Sequence, residues 1–251
     1  MQRFCKIPEG LDMELSVIIP VYNEEKIIEK TIEKILDITQ KITKDFELII
    51  SDDFSKDKTV EMAKNYAKIE PRVKVLETNV NKGRGEAVSA GFLQAKGKYL
   101  VFMDADLSTN LKHLKEMIEY LQNYDVVTGS RHVKGSLVKR SARRNVTSKM
   151  YSIFIRILFG SKILDHECGF KGFRRSVALK LVDECGIKEK NLRGVAWDTE
   201  ILVRAQRDGY KIKEFPVEWI EGEKSEIELL KEGFKLGKYM LKLKAKFLFD
   251  R

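Results

Sequence analysis

The chain has 251 residues, 43% of them hydrophobic, and a formal net charge of +9. With no Pro/Gly/Ser-rich linker, it reads as one elaborated domain spanning residues 1–251. Cys5, Cys168 and Cys185 lack metal-ligand spacing, the N-terminus around Lys6, Glu9 and Asp12 lacks a signal-peptide apolar segment, and no run approaches the roughly 18 apolar residues of a membrane span, which argues against disulfide-framework, zinc, secreted and integral classes and for a cytoplasmic protein.

Leu15 to Ile19 is an apolar run stopped by Pro20, and Glu24 to Ile38 carries Ile27, Ile28, Ile32, Ile35 and Leu36 at helical spacing. Phe46 to Ile50 repeats the strand pattern, and Asp57 opens a helix with Val60, Met62, Ala63, Tyr66 and Ala67 on its apolar side. Val73 to Leu76 predicts a third strand, and a glycine-bearing loop from Asn79 to Gly85 leads into a helix over Glu86 to Ala95. A strand at Tyr99 to Met103, a helix at Leu111 to Leu121 and a strand at Asp125 to Thr128 follow. The alternation predicts an α/β fold, a mostly parallel central sheet with helices on both faces.

Beyond Gly129 the pattern lapses. Between Asp125 and Asp165 lie 39 residues with nine Lys or Arg and no acid, including an expected helix from Ser141 to Phe159. That local surplus calls for a polyanion, an anionic membrane surface or a phosphorylated ligand, or else is a solvated face. Cys168 to Arg174 reads as a short strand, Val177 to Cys185 and Asp198 to Arg207 as helices, and Lys211 to Trp219 as an edge strand because of Pro216. A C-terminal amphipathic helix from Ser225 to Phe249 sets lysines at 231, 235, 238, 242 and 246 beside Ile227, Leu230, Phe234, Leu241 and Leu248.

Three segments place acids or glycines where parallel strands end, the edge at which open α/β sheets bind ligands. Asp104 and Asp106 follow the strand at Tyr99, a hard-oxygen pair suited to Mg²⁺ or Mn²⁺ carrying a diphosphate; the alternative is one helix cap and one solvated acid. Asp52 and Asp53 follow the second strand, placed for a nucleobase or ribose, or as turn residues. Lys82, Gly83 and Arg84 offer backbone N–H groups and two cations to a diphosphate. No G-x-G-x-x-G follows the first strand, so a dinucleotide site is excluded.

Val17-Ile-Ile-Pro-Val-Tyr-Asn-Glu-Glu25, Asp52-Asp-Phe-Ser-Lys-Asp-Lys-Thr59, Asn81-Lys-Gly-Arg-Gly85 and Met103-Asp-Ala-Asp-Leu107 together resemble the inverting glycosyltransferases of family two. Ser130-Arg131, Ser141-x-x-Arg144, Asp165-His-Glu-Cys-Gly-Phe-Lys171 and Trp197-Asp-Thr-Glu200 extend the likeness to the polyprenyl-phosphate branch, especially dolichyl-phosphate glucose synthases. The resemblance implies a GT-A fold, a nucleoside-diphosphate sugar donor, a divalent metal and a polyprenyl or dolichyl phosphate acceptor. Pro20, Tyr22, Glu24 and Asp53 would contact the nucleoside, Asp104 and Asp106 the ribose, diphosphate and metal, and Arg131 and Arg144 the phosphates. The donor part would span about 13–130 and the acceptor and membrane part about 131–251. Phe54-Ser55 stands where Gly-Ser is common, and Ser108 where related mannose enzymes have a glutamine near the metal.

A phosphomonoester has its second pKa near about 6, so a lipid phosphate attacks the sugar without a general base. Forked arginine donors suit its seating, with Asp198 steering sugar or acceptor, or capping the helix that it begins. UDP-glucose is the expected donor and GDP-mannose the alternative; a sugar-phosphate nucleotidyltransferase is the rival from another class. A nucleic-acid binder would leave the four aspartates as an uncompensated acidic cluster. Residues 150–159 and the lysine-striped C-terminal helix are expected either on the cytoplasmic face of a membrane or packed over the sheet.

Overall fold

The computed structural model describes residues 13–185, 193–221 and 229–249. Strands β1 (Leu15–Val21), β2 (Phe46–Asp52), β3 (Val73–Glu77) and β4 (Tyr99–Met103) alternate with helices α1 (Ile28–Ile42), α2 (Thr59–Ile69) and α3 (Arg84–Gln94). Then come α4 (His113–Leu121), β5 (Val126–Ser130), β6 (Leu137–Lys139), α5 (Ala142–Phe159), β7 (Phe170–Arg174) and α6 (Arg175–Cys185). The remaining elements are α7 (Arg193–Arg207), β8 (Ile212–Pro216), β9 (Glu218–Ile220) and α8 (Leu229–Phe249).

Seven strands form one sheet in the order β3-β2-β1-β4-β7-β5-β8, and β6 pairs with β9 in a separate ribbon. β1, β2 and β4 are buried at every position, as mostly apolar strands in a sheet covered on both faces are. Their registers run parallel, Val21 opposite Asp52 and Ile18 opposite Phe102, whereas β7 runs antiparallel to β4 and β5, with Phe170 opposite Met103. The carboxyl ends of β1, β2, β4 and β5 and the amino end of β7 therefore share one edge.

Ile32, Ile35, Leu114 and Met117 from α1 and α4 cover one face with alternate residues of the strands, and Val88, Phe92, Leu181, Trp197 and Ile201 from α3, α6 and α7 cover the other. A third core joins Ile155 of α5 to Val203 of α7 and Met240 of α8. This is the expected α/β architecture, with four differences in detail. Pro20 lies inside β1, past the last residue paired with β4, where its missing donor is not needed. α1 begins and ends four residues later than the apolar spacing suggested. The stretch from Lys211 to Trp219 divides into β8, at the sheet edge and ending on Pro216, and β9, which leaves the sheet to pair with β6. α7 starts at Arg193, so Asp198 sits inside the helix and caps nothing.

Cys168 and Cys185 are buried free thiols, and among the described residues no helix is long and apolar enough to cross a membrane. Cys5, Lys6, Glu9, Asp12, Ser225 and Ile227 lie outside the described residues.

Candidate active site at the carboxyl edge of the sheet

The end of β2 splits its two aspartates between different tasks. Asp52 accepts from the Phe54 N–H at 2.9 Å and the Ser55 N–H at 3.1 Å, an Asx turn that holds the chain as it leaves the strand. Asp53, also buried, accepts from the Lys82 N–H at 2.8 Å and the Gly83 N–H at 2.7 Å. Those two amides are thus turned to Asp53, and the glycine loop is tied to the end of β2. Burial pushes the Asp53 carboxyl upward despite both donors. Gly83, at a φ of 95°, makes the left-handed turn that starts α3.

That turn aims Arg84 across the edge. Its guanidinium donates to Asp104 at 2.6 Å and also pairs with Asp198. Asp198 in turn accepts from Lys171 Nζ at 2.6 Å, and Lys171, wholly buried, donates to the Cys168 carbonyl at 2.5 Å. A single ionic chain, Lys171–Asp198–Arg84–Asp104, therefore joins β7, α7, α3 and β4. Burial draws the Lys171 ammonium down to about 8.

Asp106 is exposed two residues on, accepting from the Ser108 N–H at 2.9 Å and the Ser108 hydroxyl at 2.6 Å. Glu24, at the end of β1, has its carboxyl pushed up first by burial and then by the charges of Asp106, Asp57 and Asp104. Acids from distant stretches thus feel one another at one rim, with Tyr22 46% exposed beside them. The concentration of negative charge and the hard oxygen donors fit Mg²⁺ or Mn²⁺. Among the described residues no group of three or more His, Cys, Asp or Glu is placed to hold a metal ion by itself.

Strain collects at the same rim. Asn23, Phe54 and Leu107, each just beyond a strand end, are the non-glycine residues with positive φ among those described, at 56°, 69° and 52°. Phe54, standing where glycine would relax, carries the Lys56 ammonium 3.1 Å above its ring.

The basic segment supplies the opposite pole. Arg131 forks onto the buried Asp165 with both contacts at 2.7 Å and its own N–H at 2.9 Å, which raises the arginine and lowers the carboxyl. Arg144 pairs with Glu221, and Arg140 lies with Arg131 over the Trp219 ring, 5.8 and 5.5 Å away. Burial, with Arg131 and Arg144 repelling it, lowers Arg140 to about 10, and its buried Nε has no hydrogen-bond partner. Three guanidinium groups, those of Arg131, Arg140 and Arg144, thus gather beside Asp165 and Glu221.

The structure brings Glu24, Asp53, Lys82, Gly83, Arg84, Asp104, Asp106 and Asp198 into one connected edge, with Arg131 and Arg144 at the β5 end of it. Arg140, Glu167 and Lys171 have no role in the sequence reading. Only the basic surplus pointed at Arg140, and nothing local marks a strand lysine as the partner of an aspartate 27 residues away.

The model for the family described as "Glycosyl transferase family 2" matches residues 16–182. Among similar proteins, glycosyltransferase AglD of Haloferax volcanii is 34% identical over 92% of this chain, which spans 37% of that protein. Dolichyl-phosphate beta-glucosyltransferase of Dictyostelium discoideum is 31% identical over 93% of this chain and 75% of its own length. Glucosyl-3-phosphoglycerate synthase of Mycobacterium tuberculosis, solved with Mn²⁺, UDP and phosphoglyceric acid, has a TM-score of 0.66 at 17% identity, over 92% of this chain and 76% of its own; it shares the fold.

Proposed function

The chain belongs to glycosyl transferase family 2, and on that premise we propose that it transfers glucose from UDP-glucose to a polyprenyl or dolichyl phosphate, inverting C1. What carries this reading is the pair of opposite charged poles on one sheet edge: Asp104, Asp106 and Glu24 at one end, Arg131, Arg140 and Arg144 at the other. A diphosphate carried by a cation suits the first pole, and a dianionic phosphate suits the second. The likeness to dolichyl-phosphate beta-glucosyltransferase supports glucose and the lipid phosphate. Residues 13–130 form the donor part in this reading and 131–251 the acceptor part.

The lipid phosphate is ionised near neutrality, so its oxygen attacks C1 directly. The C1–O bond to the nucleoside diphosphate breaks, and the departing oxygen keeps the bonding pair. Asp106 and Asp104 would hold Mg²⁺ or Mn²⁺, which supplies charge neutralisation on the leaving diphosphate. Arg84, anchored between Asp104 and Asp198, fixes the Asp104 carboxylate. Asp53 sets the loop that starts α3, with Pro20 and Tyr22 forming the adjoining wall for the nucleoside. Arg144 and Arg140 seat the incoming phosphate, and Arg131, held by Asp165, shapes that seat.

The acceptor lies in a bilayer, and α5 has a surface to meet it. Val146, Met150, Ile153 and Ile157 are 57%, 64%, 52% and 81% exposed and recur every three or four residues along one stripe. Lys134, Lys139, Arg143, Lys149, Arg156 and Lys162, on α5 or near it in the chain, are exposed too. The opposite side of α5, with Ile155, Tyr151, Phe154 and Leu158, packs in the third core. This division supports peripheral attachment to an anionic membrane surface on its cytoplasmic face.

Incubating the protein with UDP-glucose, a polyprenyl phosphate and Mn²⁺ is expected to yield UDP and a glucosyl lipid. Formation of UTP and glucose 1-phosphate when inorganic diphosphate replaces the lipid phosphate would mark a nucleotidyltransferase, and turnover with GDP-mannose alone would reassign the donor.

A further inference from the structure

The loop from Asp165 to Gly169 crosses the edge between the two poles, and both of its ends are pinned. Arg131 forks onto Asp165 at one end. At the other, the Asp104 N–H donates to the Gly169 carbonyl at 3.2 Å, and the Asp104 carboxylate packs so closely that a Cβ on Gly169 would stand 1.8 Å from Oδ2. Glu167 is the midpoint of that loop. The loop therefore places Glu167 between the arginine of the phosphate pole and the aspartate of the diphosphate pole, where burial raises its carboxyl against the pull of Thr199, Lys171, Arg84 and Arg131.

Its orientation is fixed from behind. Thr199 Oγ1 donates to Glu167 Oε1 at 2.5 Å. The Thr199 hydroxyl hydrogen is thereby used, so Tyr151, whose OH lies 2.9 Å from Thr199 Oγ1, donates to it. One carboxylate oxygen is locked by this Tyr151–Thr199 relay, whereas Oε2 has no protein hydrogen bond among the described residues and is not a buried orphan. One acceptor oxygen of a residue placed between the poles is thus left without a protein donor among the described residues.

We propose that Glu167 is a specificity-determining contact for the transferred sugar, Oε2 accepting hydrogen bonds from hydroxyl groups of the hexose. This rests on the glycosyl-transfer reading. In that reaction the sugar must lie between the leaving diphosphate and the attacking phosphate, which is where the pinned loop puts Glu167. No proton need be taken from a phosphate acceptor, so a carboxylate here serves recognition. A site built to accept from a hydroxyl discriminates strongly against a sugar that lacks it.

The test compares kcat/KM for UDP-glucose and its 2-, 3-, 4- and 6-deoxy analogues in the wild type, Glu167→Ala and Glu167→Gln, with UDP binding measured calorimetrically in each. The wild type is expected to lose about tenfold or more for at least one missing hydroxyl. In Glu167→Ala that penalty should shrink to within about twofold while UDP binding is unchanged, with Glu167→Gln, which keeps an acceptor for Thr199, intermediate. An identical deoxy-sugar penalty in both variants, or UDP binding that falls in parallel with transfer, overturns the assignment. If the wild type transfers no hexose from any nucleotide sugar, the underlying reading fails instead, and the assignment with it.

Discussion

Gly169 has no room for a side chain because the Asp104 carboxylate occupies the space where its Cβ would be. The obstruction is the whole Asp104 carboxyl group, which Arg84 holds, so Gly169→Ala is expected to displace Asp104 and to lose more in rate than in stability. A misplacement of about 1 Å costs on the order of 100-fold in rate, and a kcat/KM assay beside a thermal melt separates the two effects. The arginines divide in a similar way. Asp165 is wholly buried, so Arg131→Ala strands a buried charge and should cost about 3–5 kcal/mol in a denaturant titration. Arg144, with 27% of its side chain exposed and a partner that is also partly exposed, should cost less than Arg131 when replaced by Ala, while transfer falls severely and donor binding persists. Asp104 and Asp106 were legible in the sequence because they follow an apolar run directly. Asp53 was legible as an acid at a strand end but not in its contact, since the amides that it binds lie 29 and 30 residues away.

At the level of elements, the reversed strand β7 is what builds the second half of the edge. Inserted between β4 and β5, it delivers the loop carrying Asp165, Glu167 and Gly169 to the same side as the carboxyl ends of its neighbours. Its composition made it readable as a strand, but strand direction carries no local signature. The β6–β9 ribbon was missed for a related reason: three residues each, paired across some 80 positions, leave no period to detect. In α5 the helical period was visible, but which apolar residues face inward depends on α8, several of whose expected apolar and basic positions, Leu230, Lys231 and Phe234, lie outside the described side chains. The exposed stripe yields a direct expectation. Ile153→Glu with Ile157→Glu should leave the unfolding midpoint within about 2 °C of wild type, as surface changes do, yet abolish sedimentation with anionic vesicles at low salt. Unchanged sedimentation would assign the stripe to another contact.

Across the whole molecule, the ionic chain from Lys171 to Asp104 crosses from one face of the sheet to the rim and is expected to couple the proposed reaction to pH. Burial lowers Lys171 from 10.5 to about 8, so between those values the unfolded chain holds a proton that the native protein has released. This group's contribution to stability therefore rises with pH across that window. Activity runs the other way, because neutral Lys171 no longer fixes Asp198 beside Arg84. The rate is expected to fall as pH climbs past about 8, and a profile flat to pH 10 would show that the chain is not coupled to turnover. The clustered acids have a complementary consequence: at about 100 times Kd, Mn²⁺ with UDP should add roughly 2.7 kcal/mol, or some 5–10 °C in the midpoint. The measurement that bears most directly on the shared edge is calorimetric binding of UDP-glucose with and without Mn²⁺ in the wild type and Asp106→Asn. Binding at least tenfold tighter with Mn²⁺ in the wild type, and indifferent to it in the variant, is the predicted result; equal affinity in all four titrations would contradict a cation-bridged donor at Asp104 and Asp106.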